Sequence, residues 1–239
     1  MTGSAGRTAG VEAATAAGGT VRAERARATQ ELILVTAERL FAERGLFAVS
    51  NRQISEAAGQ GNNTAVGYHF GAKTDLVRAI ERRHAKRIEQ LRGLMVAEVA
   101  GSADLRDWVG CLVLPMTSHL ASLDSPTWFA RFAVQVMADP MLRELVAEEA
   151  LTAPSLRQVL GGLHRCLPNL PPEVRKERFV MTRQLIVHTC AERERALADG
   201  TATARASWHE AGTGLVDAIV GLWRAPVTTP RRRTRRPRQ

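Results

Sequence analysis

Between Gly59 and Lys73 the chain sets Asn62, Asn63, Thr64, Ala65, Gly67, Tyr68 and His69 almost in succession. Small and polar side chains at that density suit a slim helix that enters a groove of DNA. Amides, hydroxyls and methyl groups there meet base edges: an Asn pairs bidentately with adenine, and Thr or Ala meets the thymine methyl. A helix built for a core presents more Leu and Ile. The chemistry on offer is recognition rather than bond-making.

Other constellations dissolve on inspection. Gly67, Gly71, Lys73 and Thr74 are wrongly spaced for a phosphate loop, and no strand precedes them. Glu81 and His84 have Glu-x-x-His spacing, but a carboxylate di-iron bundle needs two such pairs. No nucleophile elbow is present. The three cysteines, Cys111, Cys166 and Cys190, lie far apart without zinc spacing and are expected as reduced, inert thiols. No enzyme activity, cofactor or metal is expected.

The elements that must position the recognition segment are helical, since no stretch sustains a period of two. A first helix is expected over about 27–44, with Ile33, Ala37, Leu40 and Phe41 on one face and Gly45 closing it. Ser50 and Gln53 have capping-box spacing at the start of a short second helix carrying Ile54, Ala57 and Ala58 and stopped by Gly59. An Asn-containing turn leads to a third helix, Thr64 to Phe70, and Gly71 separates it from a long fourth helix over about 72–95. Two short helices around a tight turn, flanked by helices, make a helix-turn-helix. Further helices are expected near 104–122 (split or kinked at Pro115), 126–138, 140–166, 172–198 and 204–224. Phe41, Phe47 and Phe70 are expected in the core.

From Arg27 to Ile80 the sequence resembles the TetR family of transcriptional regulators. The resemblance rests on Phe41-Ala-Glu-Arg-Gly45, on Val49-Ser50 leading to Ile54-Ser-Glu-Ala-Ala-Gly59, and on Tyr68-His69-Phe70-Gly71-Ala72-Lys73-Thr74-Asp75-Leu76. Between Gly59 and Phe70 the chain is one residue longer than the commonest family pattern, so the turn into the recognition helix is expected to be longer. The resemblance implies that Tyr68 and Lys73 meet phosphates, that Asn63, Thr64, Ala65 and His69 approach bases, and that Arg52 reaches the backbone. It also leads us to expect Arg22, Arg25 and Arg27 in a flanking minor groove.

The formal net charge of the 239 residues is +9, yet six arginines and no acid lie within 226–239, so the body between the tails is nearly balanced. The expected organisation is a disordered N-terminal arm (1–24), a helix-turn-helix DNA-binding domain (25–72), a helical effector-binding and dimerisation domain (73–225) and a disordered Arg-rich tail (226–239). The fold class is all-α. The longest clean apolar stretch, Trp108 to Leu114, falls short of the roughly 18 residues a membrane span needs. A cytoplasmic location is expected.

For the second half, the resemblance implies a pocket for a small apolar or aromatic effector, with Trp108, Met116, His119, Trp128, Phe129, Phe132 and His188 as candidate lining residues. It further implies a homodimer formed by the last two helices, with Met181, Leu185, Ile186, Leu215, Ile219, Leu222 and Trp223 as contacts. The expected function is a homodimeric repressor, released from a near-palindromic operator by its effector. The rival reading is a helical small-molecule binder or enzyme with a vestigial helix-turn-helix.

Overall fold

The computed structural model of the chain describes residues 5–62 and 64–228. Ten α-helices are present among them, and no strand: α1 (Ala5–Arg44), α2 (Asn51–Ala57), α3 (Ala65–Phe70), α4 (Lys73–Glu98), α5 (Leu105–Ala121), α6 (Phe129–Ala138), α7 (Pro140–Leu151), α8 (Pro154–Cys166), α9 (Pro172–Ala198) and α10 (Trp208–Arg224). The all-α class is as expected.

They form two compact units, and the division differs from the expected boundary at residue 72. The first unit comprises the residues up to Lys86 together with Pro126–Glu149, the second Arg87–Ser125 and the residues from Ala150. The segment carrying α6 and most of α7 therefore belongs with the helix-turn-helix.

In the first unit, the predicted stripe of α1 is fully buried: Ile33, Ala37 and Phe41 have no exposed surface. Phe41 stacks on Phe132 of α6 with ring centroids 6.2 Å apart. Leu76, Val77 and Ile80 of α4, likewise inaccessible, complete this interior. Gly45 has φ 86°, the left-handed conformation that ends a helix without a Cβ clash. The arm expected to be disordered instead continues the helix from Ala5. Its alanines favour a helix and no proline interrupts it, while Gly6, Gly10, Gly18 and Gly19 act against it.

In the second unit α5 is the central element, with Trp108, Val109, Val113 and Leu120 buried. It packs against α8 and α10. Pro115 neither splits nor ends α5, which runs unbroken from Leu105 to Ala121; tertiary burial of its neighbours offsets the one backbone bond that proline removes. The single helix expected over 140–166 is two, because Pro154 begins α8 at a position where its missing amide costs nothing. Arg178 of α9 donates to the carbonyls of Trp223 (2.6 Å) and Ala225, closing the end of α10, and the Trp223 indole N–H donates to Thr182 Oγ1 at 2.9 Å. The last eleven residues of the Arg-rich tail (229–239) lie outside the described residues.

The contact of α5 with α8 yields a paired test. A Cβ built on Gly162 would lie 2.1 Å from the Trp108 ring, whereas at Gly161 the nearest atom is an ordinary 3.6 Å away. Gly162→Ala is expected to destabilise the fold by about 1–3 kcal/mol through overpacking. Gly161→Ala is expected to be neutral or up to about 1 kcal/mol stabilising, from helix propensity alone. Denaturant unfolding of both variants checks this, and equal effects would contradict the packing described.

Candidate nucleic-acid interface

The recognition helix is positioned from both ends. On its N-terminal side, Ser50 caps α2: its hydroxyl accepts from Gln53 N at 3.3 Å while Gln53 Oε1 accepts from Ser50 N at 2.8 Å, the reciprocal box read from the sequence. The turn then passes Gly59 (φ 64°) and is tied by Gln60 N to Ser55 O at 2.9 Å. Asn62 supplies the entry to α3. Its Oδ1 accepts from Thr64 N (2.9 Å) and Thr64 Oγ1 (2.6 Å), while Thr64 makes no side-chain cap of its own. Asn63 lies outside the described residues.

α3 is six residues long and turns Val66 and Ala65 into the unit. Ala65 is only 7% exposed, which removes it from the base-facing set expected for it. Thr64, Gly67 and Tyr68, at i, i+3 and i+4, form the outward face. A Cβ added at Gly67 would meet no atom within 4 Å, so the backbone there is open to close approach. Tyr68 is 82% exposed, with the half-buried His69 ring edge-on at 5.0 Å. Exposure at that level leaves the ring of the chain's one tyrosine unpacked.

Lys73 has an internal assignment in addition to the phosphate role expected. From the first residue of α4 its ammonium donates to Leu46 O at 3.0 Å and Val49 O at 2.6 Å. An ammonium carries three N–H groups; two hold the loop joining α1 to α2 and one remains for an external acceptor. Phe47 lies between those two carbonyls in sequence and is 82% exposed, contrary to the expected core position. The cue was present in the spacing, since buried Leu46 and Val49 take the inward positions at i and i+3. Arg52 is exposed on α2 and pairs with Glu56 on the same helix at 2.7 Å. Arg22, Arg25 and Arg27, expected in a flanking minor groove, are exposed on the continuous α1. A helix of about 10–12 Å diameter does not thread a minor groove about 6 Å wide.

Beneath this face lies a charged interior. Glu38 of α1 meets His84 Nε2 of α4 at 2.9 Å and Arg83 at 3.4 Å, and the His84 ring stacks on Phe129 at 3.8 Å. Glu149 of α7 is shared by Arg78 and Arg82. Half-buried Glu81 sits among these groups and is pushed up to about 7, by burial first and then by the Glu38 and Glu149 carboxylates.

The residues expected to line an effector pocket are divided between the two units. Trp128, Phe129 and Phe132 belong to the first unit, where Phe129 stacks on His84, Phe132 on Phe41, and Trp128 lies 4.4 Å from the Arg131 guanidinium. Trp108, Met116 and His119 are buried on α5 of the second unit, and His188 is exposed on α9. Concavities within the second unit include two of note. One of about 290 Å³ is lined by Met95, Glu98, Arg106, Asp107 and Cys111 among others; the other, about 740 Å³, includes Trp108, Arg157 and Arg165. Cys111 and Cys190 are buried, which raises their thiols to about 11 and about 12, whereas Cys166 is only half-buried.

A short helix entered through Asn62, held by its neighbours and offering Thr64, Gly67 and Tyr68 outward, defines a helix-turn-helix DNA-binding protein. The family model for bacterial regulatory proteins of the tetR family matches residues 33–80, and that for the tetracyclin repressor-like C-terminal domain matches residues 110–221. The chain belongs to the TetR family, and it is a non-enzymatic, DNA-binding transcriptional regulator. Among solved structures it is similar to one described as a TetR-family transcriptional regulator from Mesorhizobium loti, at 14% identity and a TM-score of 0.47, over 83% of this chain and 96% of that one. No curated protein matches. Among the described residues no helix is long and apolar enough to cross a membrane.

Two predictions follow from the interior of this unit. Lys73→Met leaves the Leu46 and Val49 carbonyls without their donor and is expected to lower folding stability by about 1–3 kcal/mol. A purely external phosphate ligand would leave the unfolding midpoint in place. The second concerns pH. Folding raises the Glu81 pKa from 4.5 to about 7, so the native state binds the extra proton between those values. This contribution to stability is complete at the acid end of the window and is lost as pH rises through about 7. Glu81→Gln is therefore expected to flatten the difference in unfolding free energy across that window, and parallel curves for wild type and variant would contradict it.

Proposed function

We propose that the protein is a homodimeric repressor that holds a near-palindromic operator and is released by a small-molecule effector. The observation that carries this reading is the outward face of α3, where Thr64, Gly67 and Tyr68 stand exposed on a helix whose entry is fixed by Asn62. Tyr68, the free donor of Lys73 and Arg52 reach phosphates, while Asn62, Asn63, Thr64 and His69 read base edges and Gly67 permits close approach. Arg22, Arg25 and Arg27 add phosphate contacts from the surface of α1, and the Arg-rich tail raises non-specific affinity.

The dimer reading draws support from α9. Met181 and Leu185, one turn apart, are exposed at 38% and 39%, with His188 exposed on the following turn. Ile186, Leu215, Ile219 and Trp223 are buried within the unit, so the contact surface narrows to Met181, Leu185 and the half-buried Leu222. A two-fold pairing there sets two recognition helices about 34–36 Å apart, one turn of DNA. The effector acts by differential affinity for the two states, with a coupling of about 1–3 kcal/mol. A cytoplasmic location agrees with this role.

A footprint on the DNA upstream of the protein's own gene tests the reading, run at low and high salt because the arginine tail binds any DNA at low salt. A protected near-palindrome that survives high salt is expected. Tyr68→Ala is expected to weaken protection uniformly across operator variants without changing base preference. Diffuse protection that salt abolishes would defeat the proposal.

A further inference from the structure

The larger concavity of the second unit, about 740 Å³, is formed by α4, α5 and α8. Its volume falls in the range of small-molecule sites, about 300–1,000 Å³. Its charge is one-sided. Arg157 and Arg165 line it with Gln158, and no Asp or Glu does. Neither arginine forms an ion pair with a described residue. The Arg165 guanidinium instead lies 5.2 Å over the Trp108 ring, which holds a cation at the wall without neutralising it. Trp108 is itself fixed, because its indole N–H donates to Ser102 O at 2.9 Å and Gly162 packs against its face. Ala97 and Gly161 leave an apolar floor with no side chain to obstruct it.

The surrounding charges do not cancel the arginines. The Glu89 carboxylate at the start of α8 is taken by Ser155 N at 2.9 Å, by the Ser155 hydroxyl and by Arg92 at 3.1 Å. The smaller concavity of the same unit has the opposite balance. It carries Glu98 and Asp107, and its Arg106 is committed to Asp217 at 2.6 Å. Uncommitted positive charge is thus particular to the larger one.

We infer that this groove binds a small organic anion, a carboxylate carried on an apolar body. The guanidinium groups of Arg157 and Arg165 take the carboxylate, with Gln158 as an additional donor, and the apolar body lies on Ala97 and Gly161 beside the indole of Trp108. This narrows the effector of the repressor reading to an anion and rests on that reading for its regulatory consequence, though not for the binding itself.

Calorimetric titration of the full chain with octanoate, octylamine and octanol tests the site. Octanoate is expected to bind at least about tenfold more tightly than its cationic and neutral counterparts, the worth of a charge-assisted contact. The double variant Arg157→Ala/Arg165→Ala is expected to remove that preference. Gly161→Leu, which keeps both arginines and improves helix propensity, is expected to abolish binding by filling the floor. Octylamine binding as tightly as octanoate, octanoate binding unchanged in both variants, or no heat with either octanoate or naphthoate would each overturn the inference. Octanoate is then added to the footprint. Loss of protection supports its role as effector-class ligand. Binding without loss of protection refutes that role while the anion site stands, and a footprint that is never specific defeats the repressor reading alone.

Discussion

A single ammonium group organises the DNA-facing part of this molecule. Lys73 begins α4, and its two bonds to Leu46 and Val49 bring the start of that helix against the loop between α1 and α2. Without them the loop would present two carbonyls to no donor, and the capped start of α2 at Ser50 would follow an untethered segment. The chain between these anchors, α2, the turn and α3, has both ends fixed within one interior. A recognition helix of six residues lacks the length to be stable alone. It is helical because Ala65 and Val66 are buried, and Lys73 anchors the chain three residues beyond its end. A base placed at a helix start opposes the macrodipole; here two backbone acceptors offset that cost.

Local rules were legible where a local interaction decides the outcome. The Ser50–Gln53 box, the Gly45 stop and the inward face of α1 follow from spacing alone, and each is realised. The exposed character of Thr64, Gly67 and Tyr68 was legible for the same reason, since a run of small and polar residues has nothing to bury. Spacing was less informative where two residues compete for one inward position. Ala65 and Phe47 are instances: the smaller side chain is buried and the aromatic is left outside, because backbone direction at the ends of α1 and α3, and not hydrophobicity, selects which faces the core.

The effector cluster was illegible for a different reason. Aromatic and polarisable residues on α5 and α6 look alike in sequence, yet tertiary packing assigns them to different units. Phe129 and Phe132 serve the interior of the first by stacking on His84 and Phe41. What marks a concavity is missing volume, and the residues that create it here, Gly93, Ala97 and Gly161, are those a search for chemically distinctive side chains passes over. Proline has opposite outcomes at two positions. Pro115 stays within α5 because burial outweighs one lost bond, whereas Pro154 ends the helical run because it falls where α8 can begin on it.

Helix α4 contributes residues to both units. The division between the two units falls after Lys86, in the interior of a helix of 26 residues, about 39 Å long at 1.5 Å per residue. The first residue of α4 holds the loop before α2, and Gly93 and Ala97 near its other end line the larger concavity. A ligand seated there would contact the second unit's part of α4. Occupancy of the groove by itself shifts nothing. A ligand changes DNA affinity only to the extent that it contacts one placement of α4 better than another, so its fit against Gly93 and Ala97 matters more than its total affinity.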